Sequence, residues 1–377
     1  MKTAGLYVHI PFCLRKCRYC NFYSITDPSR LDDFLGALIR EIHLRSRETE
    51  TVFDTVYIGG GTPSVMSPAQ IGAILDTLFQ CFRIDPDVEI TLEANPGTVD
   101  RRWLGQVQSL GIHRLQLGIQ SFQDSVLQFL GRFHTAREAE RVLLDALSLE
   151  GWKVGADLIY NIPVRDRKDL VEDLSTMIRF QPQHISCYSL TVEEGTVLEE
   201  AIQRKEFRVL SEEEEADRFR MVSEMLTDAG YLHYEISNFA FDGPKKEGRT
   251  NRSRHNCKYW MGAPYLGVGP GAHSFVSPIR SWNDRDLTGY VQALSDGKLP
   301  PGGYEVLTRD NRMLETVFLG LRTVEGIDLK EFQKDFDIDL VSILNPMMAL
   351  DDSLMMLDGT RVRLTLNGWA VLDAIVQ

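Results

Sequence analysis

Three of the chain's six cysteines, Cys13, Cys17 and Cys20, fall within the single stretch "PFCLRKCRYCNF". Thiols at C-x3-C-x2-C spacing suit three kinds of chemistry. A structural zinc site calls for four closed ligands. No fourth Cys or His stands nearby at zinc spacing; His9 lies upstream on a strand-like run, just before Pro11. A disulfide would leave an odd thiol behind. An iron–sulfur cubane held by three cysteines leaves one iron open to a non-protein ligand, a variation on the usual four-cysteine site. The spacing favours the cluster. Arg15, Lys16 and Arg18 flank the thiols and are expected to lower their pKa values and offset the charge of a thiolate-held cluster. Cys81, in an apolar helical pattern, and Cys187, in a strand pattern, read as packing residues.

The elements that must position this loop are legible around it. Six β-like runs, at 6–10, 55–58, 88–92, 114–119, 154–160 and 184–190, alternate with amphipathic stretches such as 31–45, 69–82 and 136–149. That alternation predicts βα units and a parallel sheet, and apolar runs such as "TVYI" fit a sheet covered by helices. The strands are followed in turn by "PFCLRKCRYC", "GGGTPS", "EANPGT", "QSF", "NIPV" and "TVEEGT". Ligands of α/β folds bind at the carboxyl ends of strands, so these segments are expected to converge on one face. Residues 1 to about 200 read as a (β/α) barrel or partial barrel with its site at the mouth.

Beyond Gly195 the pattern changes. "SEEEEADRFRMVSEMLTDAG" predicts a helix with Ser211 as N-cap, acids in the first turn and Gly230 near its end. A strand-like "YLHYEIS" follows, then a basic loop over 241–254, "HNCKYW" and "GVGPGAHS". Helices are expected at 308–322, 328–336 and 338–349, a hairpin turning at Asp358 and Gly359, and a last helix at 367–376. The result is a winged-helix-like α+β module. Twelve Asp/Glu against seven Lys/Arg from Arg309 onward argue for a lid or docking module over a DNA binder. The chain is expected to divide at 1–235, 236–305 and 306–377.

Composition narrows the class. A 43% hydrophobic and 25% charged chain is ordinary for a globular protein. The net charge of −13 argues against nonspecific nucleic-acid binding. No apolar run is long enough to span a bilayer and no signal-peptide pattern is present, so a cytoplasmic protein with at most peripheral membrane contact is expected.

C-x3-C-x2-C after a first strand, with the aromatic Tyr19 before the last Cys, resembles the radical S-adenosylmethionine (SAM) superfamily. "YVHIPFC", "GGGTPS", "LEANPG", "GIQSF", "GRFHT", "DLIYNIP", "YEISNFA", "HNCKYW" and "GVGPGAHS" follow the order of the oxygen-independent coproporphyrinogen III oxidase family, and more closely its heme-chaperone branch. The resemblance covers essentially the whole chain. It implies a partial (β/α)6 TIM-like barrel of the radical SAM type, and a 4Fe-4S cluster on Cys13, Cys17 and Cys20 whose open iron takes SAM. In that superfamily the cluster reduces the sulfonium, releasing methionine and a 5′-deoxyadenosyl radical; this chemistry belongs to the cofactor.

By the same resemblance SAM is contacted by Tyr7, Tyr19, Gly60, Gly61, Thr62, Glu93, Gln120, Arg132 and Asp157. The residue types suit those roles: an Arg fork fits a carboxylate, and an Asp at a strand end fits ribose hydroxyls. His255, Asn256, Tyr259 and Trp260 of "HNCKYW" are implied as a heme site, with Cys257 as an added ligand candidate. The basic loop, with Lys245, Lys246, Arg249, Arg252 and Arg254, is expected to meet heme propionates. Asn21 stands where relatives more often have Asp, and Asn161 where they usually have Gly.

Two functions compete. One is a heme chaperone delivering heme to apo-cytochromes or other respiratory hemoproteins, with a homodimer as one arrangement. The other is a coproporphyrinogen III oxidase that turns two propionates into vinyls. The oxidase pattern has a fourth cysteine two positions after the third, where this chain has Phe22, and a longer segment before the cluster, where twelve residues precede Cys13. Both differences favour the chaperone. A porphyrin-opening or methyl-transferring radical enzyme fits the barrel but not the second half.

Overall fold

A computed structural model describes residues 3–242, 251–348 and 353–376. Six strands, β1 (Ala4–Ile10), β2 (Val52–Gly60), β3 (Arg83–Ala94), β4 (Arg114–Gln120), β5 (Lys153–Tyr160) and β6 (His184–Ser189), pair parallel in chain order. Helices connect them, among them α1 (Leu31–Arg45), α2 (Pro68–Cys81), α3 (Arg101–Gln108), α4 (Asp124–Leu130), α5 (Ala136–Leu147) and α6 (Arg167–Phe180). Parallel pairing brings every strand's carboxyl end to one rim. The strands are buried on both faces, β4 along its whole length, as expected of a sheet sandwiched by helices. This is the α/β partial barrel expected.

Helix starts follow their sequence signals. Ser67 with Gln70 opens α2, and Thr135 with Glu138 opens α5, both as reciprocal capping boxes. After α7 (Val197–Gln203) comes α8 (Glu212–Asp228), capped by Ser211 with Glu214. Gly230 turns the chain at φ +89° just beyond it.

Residues 231–306 extend the same sheet at both ends. β8 (Asn238–Phe241) pairs antiparallel with β6, and β7 (Tyr231–Glu235) with β8. At the other edge β9 (Tyr265–Val268) runs parallel to β1, and β10 (His273–Val276), β11 (Ile279–Asn283) and β12 (Gly302–Val306) continue antiparallel, completing a 12-stranded sheet. Glu41, fully buried on α1, pins this edge. Its carboxylate accepts from Gly269 N (2.7 Å), Asn283 Nδ2 (2.8 Å) and Tyr290 OH (2.6 Å). A buried carboxylate persists where such donors surround it.

The C-terminal module is α+β as expected. Helices Arg309–Leu321, Leu329–Phe336 and Leu340–Met348 accompany a small antiparallel sheet of β13 (Ile327–Asp328, between the first two helices), β14 (Met355–Asp358) and β15 (Arg361–Leu364). Gly359 makes the hairpin turn at φ +59°. The expected last helix is two, Leu366–Ala370 and Leu372–Val376, because Val371 leaves the helical region at φ −125°. The module is sewn to β7 through the main chain: Val324 N donates to Tyr234 O (3.0 Å) and Ile236 N to Arg322 O (3.1 Å).

Candidate functional site

The thiol loop is laced to the barrel rim by backbone bonds. Cys13 N donates to Ile25 O (2.9 Å), Arg18 N to Leu130 O (3.1 Å), and Leu198 N to Arg18 O (2.9 Å). Cys13, Cys17 and Cys20 are free and partly exposed. Burial pushes the Cys13 and Cys20 thiols above their ordinary pKa. For these two, desolvation therefore outweighs the flanking cations that were expected to lower their pKa values. Among the described residues no three His, Cys, Asp or Glu side chains close on one point as a single-ion site requires. A cubane asks for less, because each cysteine takes a different iron. Two sulfurs already accept hydrogen bonds, Cys13 Sγ from Thr62 Oγ1 and Cys17 Sγ from Arg132 Nη1, both at 3.4 Å. This donor set fits an iron–sulfur cluster.

The strand ends carry the expected polar groups. After β2 the chain passes so close to its neighbour that side chains are excluded. A Cβ on Gly60, at φ +110°, would lie 2.6 Å from His9 Nδ1, and one on Gly61 2.7 Å from Phe12 O. Only Gly fits there without rearrangement. Gly61 N and Thr62 N donate to Ile10 O (2.8 Å) and Phe12 O (2.7 Å). His9 Nε2 faces Tyr23 O (2.9 Å), which makes it the protonated nitrogen, so His9 Nδ1 accepts from Tyr7 OH (3.0 Å).

Glu93, at the end of β3, accepts from Tyr57 OH (2.6 Å) and Gly60 N (3.2 Å), and burial raises it to about 7. Asp157 accepts from Gln116 Nε2 (2.6 Å) and is raised by burial to about 6. Arg132 donates to Gly118 O (2.8 Å) and to Asn95 Oδ1, and faces the half-buried Tyr19. Gln120 adopts φ +69°, and its buried Oε1 has no partner. Asn161 sits at φ +57° with its amide on Ser189 Oγ (2.9 Å). That left-handed backbone accounts for Asn in place of Gly, since Asn tolerates it best among side-chain residues.

"HNCKYW" folds into the helix Arg254–Trp260, capped by Ser253. His255 is buried beneath it, with Nδ1 on Thr55 Oγ1 (2.8 Å) and Nε2 on Tyr259 OH (2.9 Å). Burial lowers its pKa to about 3, so the ring is neutral. Gly5 leaves it room: a Cβ there would lie 3.0 Å from His255 Cε1. Both ring nitrogens of the expected heme ligand are thus engaged. Cys257 does not reach the cavity wall, which removes the geometric basis for it as a ligand.

A cavity of about 940 Å³ joins the two halves of the site. Tyr7, Tyr57, Gly60 and Glu93 form its floor at the barrel mouth, Phe22 its edge at the thiol loop. His255, Asn256, Tyr259 and Trp260 form one wall, with Trp369 and Arg322 from the C-terminal module. The described cations of the basic loop stand elsewhere: Arg252 is held by Glu325 (2.6 Å), Arg254 by Asp54 and Asp87 (3.4 Å each). Lys245, Lys246 and Arg249 lie outside the described residues. The pattern-based reading missed Tyr57, which fixes Glu93, Asn95, which fixes Arg132, and Arg322. The first two sit in or beside quoted motifs; Arg322 carries no local signal.

The Radical SAM superfamily matches residues 7–177, and the HemN C-terminal domain residues 307–371. The chain is 32% identical to the heme chaperone HemW of Mycobacterium tuberculosis, covering 99% of this chain and 94% of that protein. It is 35% identical to the HemW of Synechocystis, covering 93% and 85%. It is also 32% identical to the mitochondrial radical S-adenosyl methionine domain-containing protein 1 of Bos taurus, covering 100% and 86%. The solved structure of coproporphyrinogen III oxidase (HemN) from Escherichia coli has the same fold, with TM-score 0.82 over 99% of this chain and 89% of that one at 23% identity. With motifs, barrel and C-terminal module aligned along nearly its full length, the chain belongs to the HemW heme-chaperone family of the radical SAM superfamily.

Proposed function

We propose that this protein is a heme chaperone: it binds heme in the cavity and passes it to acceptor hemoproteins such as respiratory enzymes. In this reading Cys13, Cys17 and Cys20 hold a 4Fe-4S cluster whose open iron takes SAM. The observation that carries it is the cavity, which sets the mouth of a radical SAM barrel against the "HNCKYW" helix within one enclosure. Its volume, about 940 Å³, lies at the upper end of ordinary ligand pockets and suits a flat macrocycle.

Cluster and SAM, when bound, supply reductive sulfonium chemistry. The chain's own residues bind and orient. Gly60, Gly61 and Thr62 offer backbone at close approach, and Glu93, near neutrality in pKa, pairs with an amino group in its ionised form. Arg132 tethers a cluster thiolate and faces Tyr19; Tyr7, Gln120 and Asp157 complete the SAM cradle. His255, Asn256, Tyr259 and Trp260 face heme, and His255 reaches an iron only by giving up the Tyr259 hydroxyl. The protein works in the cytoplasm as a monomer or homodimer, without nucleic acid and with at most peripheral membrane contact. Three units, 1–235, 236–305 and 306–377, divide the labour between cluster, heme motif and lid.

The second reading, oxidative decarboxylation of coproporphyrinogen III, rests on the retained strand-end groups. One experiment separates them: anaerobic cluster reconstitution followed by heme titration and a coproporphyrinogen assay. A stable heme complex without protoporphyrinogen supports the chaperone. Steady protoporphyrinogen formation with no heme complex overturns it.

A further inference from the structure

Among the described residues of the cavity wall, Arg322 is the only Lys or Arg. Its ionisable companions there include five acids, Glu93, Glu212, Glu215, Glu235 and Asp373. Arg322 directly follows the helix Arg309–Leu321, and its carbonyl is fixed by Ile236 N (3.1 Å). The guanidinium lies over Trp260, 4.7 Å from the ring centroid, and 5.6 Å from that of Phe318. An arginine mounted on an indole keeps its charge and holds its fork in one plane.

This arginine is under-bonded. Its Nη2 stands 3.8 Å from Glu235 Oε2, beyond hydrogen-bond range. Its Nε is buried without a partner, as are Glu235 Oε2 and Trp260 Nε1 beside it. Burial raises Glu235 to about 7, so its carboxyl competes weakly for the cation near neutrality. A planar guanidinium, mostly withdrawn from water and lining a cavity, is the arrangement that binds carboxylate bidentately.

We propose that Arg322 is the carboxylate anchor of the cavity, taking a propionate of the bound porphyrin in a two-point contact while Trp260 supports the guanidinium. The proposal rests on the heme reading and deepens it. The four acids elsewhere in the wall, Glu93, Glu212, Glu215 and Asp373, disfavour a propionate, so one edge of the macrocycle has a single favourable berth. Arg322 thereby sets the orientation of the ring, and does so from the C-terminal module.

The test is a cycle between protein and ligand carboxylates. Heme and heme dimethyl ester are titrated into the cluster-loaded protein, its Arg322→Met variant and its Glu235→Gln variant. The parent is expected to prefer heme over the ester by about tenfold or more. Arg322→Met loses that preference while binding the ester as the parent does, and Glu235→Gln, freed of the competing carboxylate, strengthens it. A parent that binds heme with no preference for the free acid overturns the proposal and leaves the heme reading standing. Equal weakening of heme and ester in Arg322→Met, or an unchanged preference in Glu235→Gln, also overturns it. A parent that binds neither porphyrin overturns the heme reading itself.

Discussion

Cys13 and Cys17 are the two ends of one hydrogen-bonded chain. Thr62 Oγ1 donates to Cys13 Sγ, Asn95 Nδ2 to Thr62 Oγ1 (2.8 Å), Arg132 Nη2 to Asn95 Oδ1, and Arg132 Nη1 to Cys17 Sγ. The loops after β2 and β3 and the turn between α4 and α5 are thereby tied to the thiol loop, and both sulfurs receive donors through one shared amide.

Asn95→Ala cuts that chain at its centre. Donors to sulfur favour the reduced, more negative cluster, so their loosening lowers the reduction potential. The variant is expected to load iron but to reduce tens of millivolts lower, read by redox titration under anaerobic conditions. An unchanged potential rejects the chain as a tuning element. Stability falls by about 1–3 kcal/mol, because Arg132 loses a buried acceptor.

Gly61→Ala places a Cβ 2.7 Å from Phe12 O, a backbone atom that cannot swing aside. The expected cost is about 1–3 kcal/mol, with lower iron content after reconstitution. Gly36→Ala is the opposite case. It lies in α1 with its nearest contact at 3.9 Å, so it is expected to stabilise by about 0.5–1 kcal/mol. Thermal unfolding of the two variants should bracket the parent.

Stability against pH follows from burial. Glu93 and Glu235 are raised from 4.5 to about 7, and Asp157 from 3.8 to about 6. Across that window the folded chain keeps protons that the unfolded chain has released, so these groups make stability fall as pH rises. His9 and His134, lowered to about 4, and His255, lowered to about 3, act oppositely: their contribution grows with pH until about 6.5. Glu93→Gln removes one member of the first set. Its stability relative to the parent should climb by about 1–3 kcal/mol between pH 5 and pH 7, then level off. Urea unfolding gives the curves; parallel ones rule this account out.

Tyr259→Phe removes the hydroxyl on His255 Nε2 and leaves that nitrogen free for iron. Heme binding is expected to tighten by about threefold to tenfold, while His255→Ala weakens it by tenfold or more, about 1.4 kcal/mol. Weaker binding in Tyr259→Phe would point to the phenol as the ligand instead. Thr55→Val strands Nδ1 and should cost about 1–3 kcal/mol in denaturant unfolding.

Much of the barrel is legible in the sequence because its strands and helices repeat locally. Ser211 announces α8 through its partner Glu214, and Asp358 with Gly359 announces a turn. β13, two residues long, has no period to detect. The parallel pairing of β9 with β1 joins segments about 260 residues apart, and nothing in "YLGV" declares it. The thiols were legible as a set because spacing is their chemistry. The upward pKa shift of Cys13 and Cys20 was not, since flanking charges are visible in sequence while burial is not. Arg322 is one of 41 Lys and Arg residues, and only the fold sets it upon Trp260. The expected cations Arg252 and Arg254 are spoken for by nearby carboxylates.

The main-chain bonds between β7 and the segment after Leu321 make ligand capture and domain docking a single equilibrium. Tyr234 and Ile236 bracket Glu235 in the cavity wall, and they bond the same short stretch, Arg322 to Val324, that presents the cavity's arginine. A ligand that tightens this corner resists release of the C-terminal module, and a partner that peels the module away loosens the ligand to the same extent. In the proposed heme-chaperone reading, unloading is then open to being driven from outside the pocket, by a protein that never touches the porphyrin.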